Sequence, residues 1–120
     1  LLYADASDRY RQLLLPGDPR LARALIPYGN LLARAGDESA ALLLLEEAVK
    51  IREAALPEGH WEIAVALSAL GSVQSSLGLS EAYPNLQQAR NDLLLTRGAA
   101  NSHTIRAEDR LAEHRAKQIN

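Results

Sequence analysis

The chain has no cysteine, no methionine and no phenylalanine, and only one tryptophan and four tyrosines. Without cysteine there is neither a disulfide framework nor a thiolate-ligated zinc site, which fits an intracellular protein, and a cytoplasmic location is the expectation. Charge of one sign is also missing. Thirteen basic residues stand against fifteen acidic ones, for a formal net charge of −2, so bulk electrostatics give no reason to expect nucleic acid or an anionic membrane as partner. Long apolar runs are absent too: the longest, Ala40 to Leu45, falls far short of the roughly 20 residues a membrane span requires. No signal peptide is visible, but the chain opens on Leu1-Leu2 rather than on methionine and reads as a piece of a longer protein.

What is present is leucine and alanine, with glutamate, arginine and glutamine, and few β-branched residues. These are strong helix formers, so the fold class expected is all-α, with a core of small-into-large aliphatic packing.

An internal period organises the chain. Shifting the sequence by 42 residues superposes Ala6 on Ala48, Gly17 on Gly59, Leu21 on Ile63, Ala22 on Ala64, Ala24 on Ala66, Leu25 on Leu67, Gly29 on Gly71 and Gly36 on Gly78. One residue is dropped after Gly78, and an offset of 41 then pairs Ala41 with Ala82, Ala48 with Ala89, Ile63 with Thr104 and Leu70 with Leu111. Each unit splits into two helical patterns at a break, Gly36-Asp37 in the first and Gly78-Leu79-Ser80 in the second. Glycine just past one helix and Asp or Ser before the next are the usual stop and start signals. Helices are predicted over 1–15, 19–35, 38–55, 61–77, 80–96 and 103–118. Apolar positions recur at i, i+3, i+4 and i+7, as in Leu21, Leu25, Tyr28 and Leu32. A helical pair of this kind buries its apolar face only by stacking on neighbours, which predicts a solenoid.

Leu25, Tyr28, Gly29, Leu32, Gly36, Ala41, Leu45 and Ala48, followed by Leu67, Leu70, Gly71, Gly78, Ala82 and Ala89, resemble the tetratricopeptide repeat (TPR) signature. The 42-residue unit and the joint Leu56-Pro57-Glu58-Gly59-His60-Trp61-Glu62-Ile63-Ala64 are similar to the kinesin-light-chain type of TPR, also common in bacterial signalling proteins. The resemblance implies a right-handed superhelical solenoid. Within a single array segment it places a preceding second helix at 1–15, repeats at 19–60 and 61–101, and a final first helix at 103–118. Gln74 in place of a large residue, Pro27 inside a helix, and Arg90 and Asp92 at positions apolar in the first unit depart from the pattern.

The most chemical-looking stretch is the same joint, where His60 lies between Glu58 and Glu62 and beside Trp61. A metal or acid–base site would need a further converging ligand. The period instead equates His60 with Asp18 and Asn101, residues suited to starting a helix, and Trp61 with Pro19. That makes the segment a joint between units, with Trp61 either packing over it or anchoring a partner. The glycines, seven apart within a unit, serve helix packing and termination and form no phosphate-binding loop, so no cofactor is expected. Pro27 removes one backbone hydrogen bond and frees the carbonyl of Arg23, giving either a tolerated bend or a widened groove.

In the family it resembles, the first helix of each pair lines a concave peptide groove. Carried over by position, Arg23, Asn30, Arg34, Ser68, Ser72, Arg106 and Arg110 are the partner-binding residues. The positions corresponding to a carboxylate clamp read Ile26, Asn30, Ala69, Arg106 and Arg110, of which Asn30 and the two arginines fit. The expected function is a non-catalytic scaffold or adaptor that binds a protein or peptide, with a lean toward acidic segments because arginine forks match carboxylates. The alternative is a structural spacer or self-association segment of a larger multidomain protein, with end-to-end association through solenoid ends such as Leu1-Leu2-Tyr3.

Overall fold

A computed structural model describes residues 2–14 and 16–119, with side chains for residues 4–14 and 16–118. Six α-helices account for the described chain: α1 (Leu2–Leu13), α2 (Pro19–Arg34), α3 (Glu38–Ala55), α4 (Trp61–Ser76), α5 (Ala82–Arg97) and α6 (Ser102–Ile119). No strand occurs among the described residues.

Helix starts follow from local chemistry. The first amides of a helix lack intrahelical partners, and a side-chain acceptor two or three residues upstream satisfies one of them. Asp18 accepts from the Arg20 amide at 2.9 Å, His60 Nδ1 from the Glu62 amide at 3.0 Å, and Asn101 Oδ1 from the His103 amide at 2.9 Å. Three different residue types thus perform one task at equivalent joints. His60 acts as a cap, so His60→Ala is expected to cost about 1 kcal/mol of stability in a urea melt.

Helix ends repeat in the same way. The amides of Asp37 and Gly36 donate to the carbonyls of Leu32 and Ala33, at 2.9 and 3.1 Å. Those of Leu79 and Gly78 donate to Gln74 and Ser75, also at 2.9 and 3.1 Å. This paired closure needs a left-handed residue, and Gly36 and Gly78 supply it with φ of 91° and 72°. The dropped residue shows its effect immediately afterwards. Asp37 caps α3, whereas Ser80 turns to the Glu81 carboxylate and α5 starts uncapped at Ala82, two residues later than the sequence predicts.

Successive helices pack on one another, and α2 also touches α4, as α4 touches α6, along one side of the molecule. Close approach within each pair is set by glycine against leucine. A Cβ on Gly29 would lie 2.8 Å from Leu45 Cγ, and one on Gly71 would lie 2.8 Å from Leu86 Cγ. Both leucines are fully buried, with Leu25, Leu93, Leu111 and a set of alanines including Ala22, Ala41, Ala48, Ala66, Ala89 and Ala107. A radius of gyration of 13.9 Å matches the roughly 13.6 Å expected of a compact chain of this length.

The departures from the repeat pattern have their own accommodation. Gln74 is buried and accepts from the Asn85 side chain at 2.8 Å. Arg90 reaches Glu108 on α6 at 3.3 Å, leaving its Nε enclosed without a partner. Helix α2 runs unbroken through Pro27.

Candidate functional site: a cationic recess on the α2, α4 and α6 side

The side on which α2, α4 and α6 meet is hollowed. A recess of about 290 Å³ is lined by Ile26, Pro27, Asn30 and Arg34 of α2, Val65, Ser68 and Ala69 of α4, Leu93 of α5, and His103, Arg106 and Arg110 of α6. Its apolar lining comes from Ile26, Pro27, Val65, Ala69 and Leu93; its charge is entirely positive, since no aspartate or glutamate lines it.

Five of the seven residues expected from sequence to bind a partner meet here: Asn30, Arg34, Ser68, Arg106 and Arg110. Arg23, exposed on α2, and Ser72, half-buried on α4, lie outside the lining. All five clamp-equivalent positions, Ile26 and Ala69 included, border the recess. Leu93 and His103 are the lining residues that positional reasoning missed, Leu93 because it belongs to the second helix of its pair and His103 because it carried no binding signal of its own; Pro27, expected to give a bend or a widened groove, lies in the lining as well. Ser75, on the same helix as Ser68, bonds His114 Nδ1 at 2.8 Å beside Tyr83, away from the recess.

Arg110 is the most unusual group in the lining. Its Nη1 donates to the buried Ser68 hydroxyl at 3.0 Å, and that is its sole side-chain hydrogen bond among the described residues. Burial, reinforced by the neighbouring Arg106 charge, pushes its pKa down to about 10, so it remains a cation at neutral pH. Arg34, Arg106 and Arg110 make no ion pair among the described residues; the ion pairs belong to Arg11, Arg20, Arg52 and Arg90. Buried charge is ordinarily paired, and a cation held without a partner at the edge of a cavity is an invitation to an anion.

No family model and no curated protein matches this chain.

The rim of the recess adjoins the joint between α3 and α4. Trp61 is half-buried there, with the Arg97 guanidinium 4.0 Å from its ring centroid and the rings of His103 and His60 at 5.6 and 6.0 Å. Packing of this kind across α4, α5 and α6 makes Trp61 a fastening of the joint. Arg52 completes it from α3: the side chain is buried and donates to the Glu62 carbonyl at 2.7 Å, with the Glu62 carboxylate 3.9 Å away. One unit later Thr104 ties α6 to α5 through the Leu93 carbonyl at 3.3 Å. Among the described residues no three His, Asp or Glu converge as a metal would require, and no helix is long and apolar enough to cross a membrane. The side chains of Leu1, Leu2 and Tyr3, the expected self-association surface, lie outside the described residues.

His103 lends the recess a pH dependence. Burial first, and then the charges of Arg106, Arg97 and Arg52, hold its pKa below the ordinary 6.5. As pH falls through 6.5 the unfolded chain takes up this proton before the folded one does, so His103 makes folding less favourable from there down to its depressed folded pKa. Urea melts at pH 7.5 and 5.5 are expected to show a smaller acid-induced loss of stability in His103→Gln than in the parent. An equal loss in both proteins would assign the effect to other groups.

Proposed function

We propose that this chain is a TPR-type solenoid segment of the kinesin-light-chain kind and serves as a non-catalytic protein-interaction module, holding an acidic peptide segment along its α2, α4 and α6 side. The observation that carries the reading is the recess bordered by Arg34, Arg106 and Arg110 with no carboxylate in its lining. An extended acidic peptide would satisfy these guanidiniums, and Asn30 offers both donor and acceptor groups to its backbone. Support for the repeat architecture comes from the caps at Asp18, His60 and Asn101, the closures at Gly36 and Gly78, and the packing of Gly29 on Leu45 and Gly71 on Leu86.

The test is fluorescence anisotropy against a panel of acidic peptides. Binding should weaken as salt rises, because exposed charges are screened beyond about 8 Å at physiological ionic strength. Arg34 and Arg106 are both exposed, so reversing either is expected to weaken binding about tenfold or more without disturbing the fold. A panel that produces no binding at any salt concentration sinks the proposal.

A further inference from the structure

We propose that the recess is a phosphate-monoester site, which takes the phosphoryl group of a phosphorylated serine or threonine in the acidic segment; this deepens the groove reading above and rests on it.

The first reason is charge. Three guanidiniums border one small cavity, none paired with a carboxylate among the described residues. Glu113, the carboxylate that acts on Arg110, makes no ion pair with it. A single carboxylate brings one negative charge and two oxygens, which leaves most of this cluster uncompensated. A phosphate monoester brings about −1.5 to −2 charges at neutral pH and three strong acceptor oxygens. The second reason is donor geometry. Arg110 commits Nη1 to Ser68, and its other nitrogens are not among the enclosed atoms without a partner, a condition found only at Arg90 Nε among the described side chains. The remaining N–H donors therefore keep an opening, with Arg34 and Arg106 on the same lining. Guanidinium forks suit phosphate oxygens, which accept two parallel N–H bonds.

The third reason is size: about 290 Å³ lies just below the roughly 300–1,000 Å³ span of small-molecule sites, room for a phosphoryl group and the side chain that bears it. The apolar contribution of Ile26, Pro27, Val65 and Leu93 matches the aliphatic stem of a phosphorylated side chain and limits the water competing for the arginines. His103 sits in the same lining, where a bound dianion would offset the charges that hold its proton off.

The experiment uses the intact chain and three fluorescein-labelled degenerate peptide pools, identical except for a central phosphoserine, serine or glutamate in an acidic background, with inorganic phosphate as competitor. The phosphoserine pool is expected to bind at least tenfold more tightly than either of the others. That preference should vanish in Arg106→Gln, whose exposed position keeps the fold intact by circular dichroism, and the His103 pKa read by NMR should rise on binding. Equal binding of the three pools overturns the phosphate inference and leaves the acidic-peptide groove standing. Failure of every pool to bind, with no response to inorganic phosphate, overturns both. If the pools fail while millimolar inorganic phosphate still shifts the His103 resonances, the recess is a free-phosphate site and the peptide-borne assignment is wrong.

Discussion

Arg110→Leu is expected to raise the melting temperature while sharply weakening the proposed binding of acidic peptides. Stability and function pull apart at this residue for an electrostatic reason. The guanidinium is withdrawn from water far enough to bring its pKa to about 10, it repels Arg106, and the Ser68 hydroxyl is its only side-chain hydrogen-bond partner among the described residues. Replacing a desolvated, poorly compensated ion by an aliphatic side chain of similar bulk is commonly neutral or stabilising, by ~1–4 kcal/mol where burial is complete. Arg110 is half-buried, so the low end applies: about 1 kcal/mol, or a few degrees in a domain of this size. Ser68 loses its donor but can turn its own hydroxyl to the carbonyl one turn back on α4. Binding should move the other way, because removal of a charge-assisted contact at the inner wall costs about 2–5 kcal/mol, at least thirtyfold in affinity. Differential scanning calorimetry and anisotropy on one preparation read both quantities. A variant that loses stability and keeps its affinity would mean that Arg110 is a structural residue.

Leu86→Ala should be among the most damaging substitutions in the chain, with a loss of about 2–5 kcal/mol in urea unfolding, because Leu86 is fully buried and its removal leaves a cavity. Gly71→Ala should cost about 1–3 kcal/mol for the opposite reason, since the new Cβ would meet Leu86 Cγ at 2.8 Å in a packed core. The two changes are coupled. In the double variant the added methyl occupies space that the leucine has vacated, so the combined loss should be smaller than the sum of the single losses by about 1 kcal/mol. Additive losses would show that Gly71 and Leu86 do not set the α4–α5 approach. The same cycle at Gly29 and Leu45 should give the same sign, because the two pairs share one geometry.

Much of the fold is legible without coordinates, and the reason is range. A cap depends on a side chain and an amide two residues away, as at His60 and Glu62, and a helix closure depends on a glycine and the turn before it. The 42-residue offset carries these local devices from one unit to the next. Where it changes to 41, after Gly78, the helix start predicted at Ser80 slips to Ala82. Composition alone gives no warning of Arg52. Its counterpart one unit later, at the 41-residue offset, is the fully buried Leu93, yet the arginine is buried as well, because its guanidinium reaches the Glu62 carbonyl across the joint.

The recess is less legible. Positional reasoning places arginines on the first helix of each pair but cannot rank them by depth. Arg106 and Arg110 are one turn apart on α6, yet Arg106 is exposed whereas Arg110 is half-buried against Ser68, from a helix forty-two residues earlier in the chain. Arg23 and Ser72 occupy helices that line the recess and still fall outside it. By itself, then, the sequence determined the helices and most of their ends, which depend on neighbours within a few residues or on a repeat visible as a period, whereas the leucine each packing glycine meets belongs to another helix. Tertiary structure alone decided which cations share one cavity and which of them loses its water, because both depend on the relative rotation and separation of α2, α4 and α6, and these are set by packing among residues far apart in the chain.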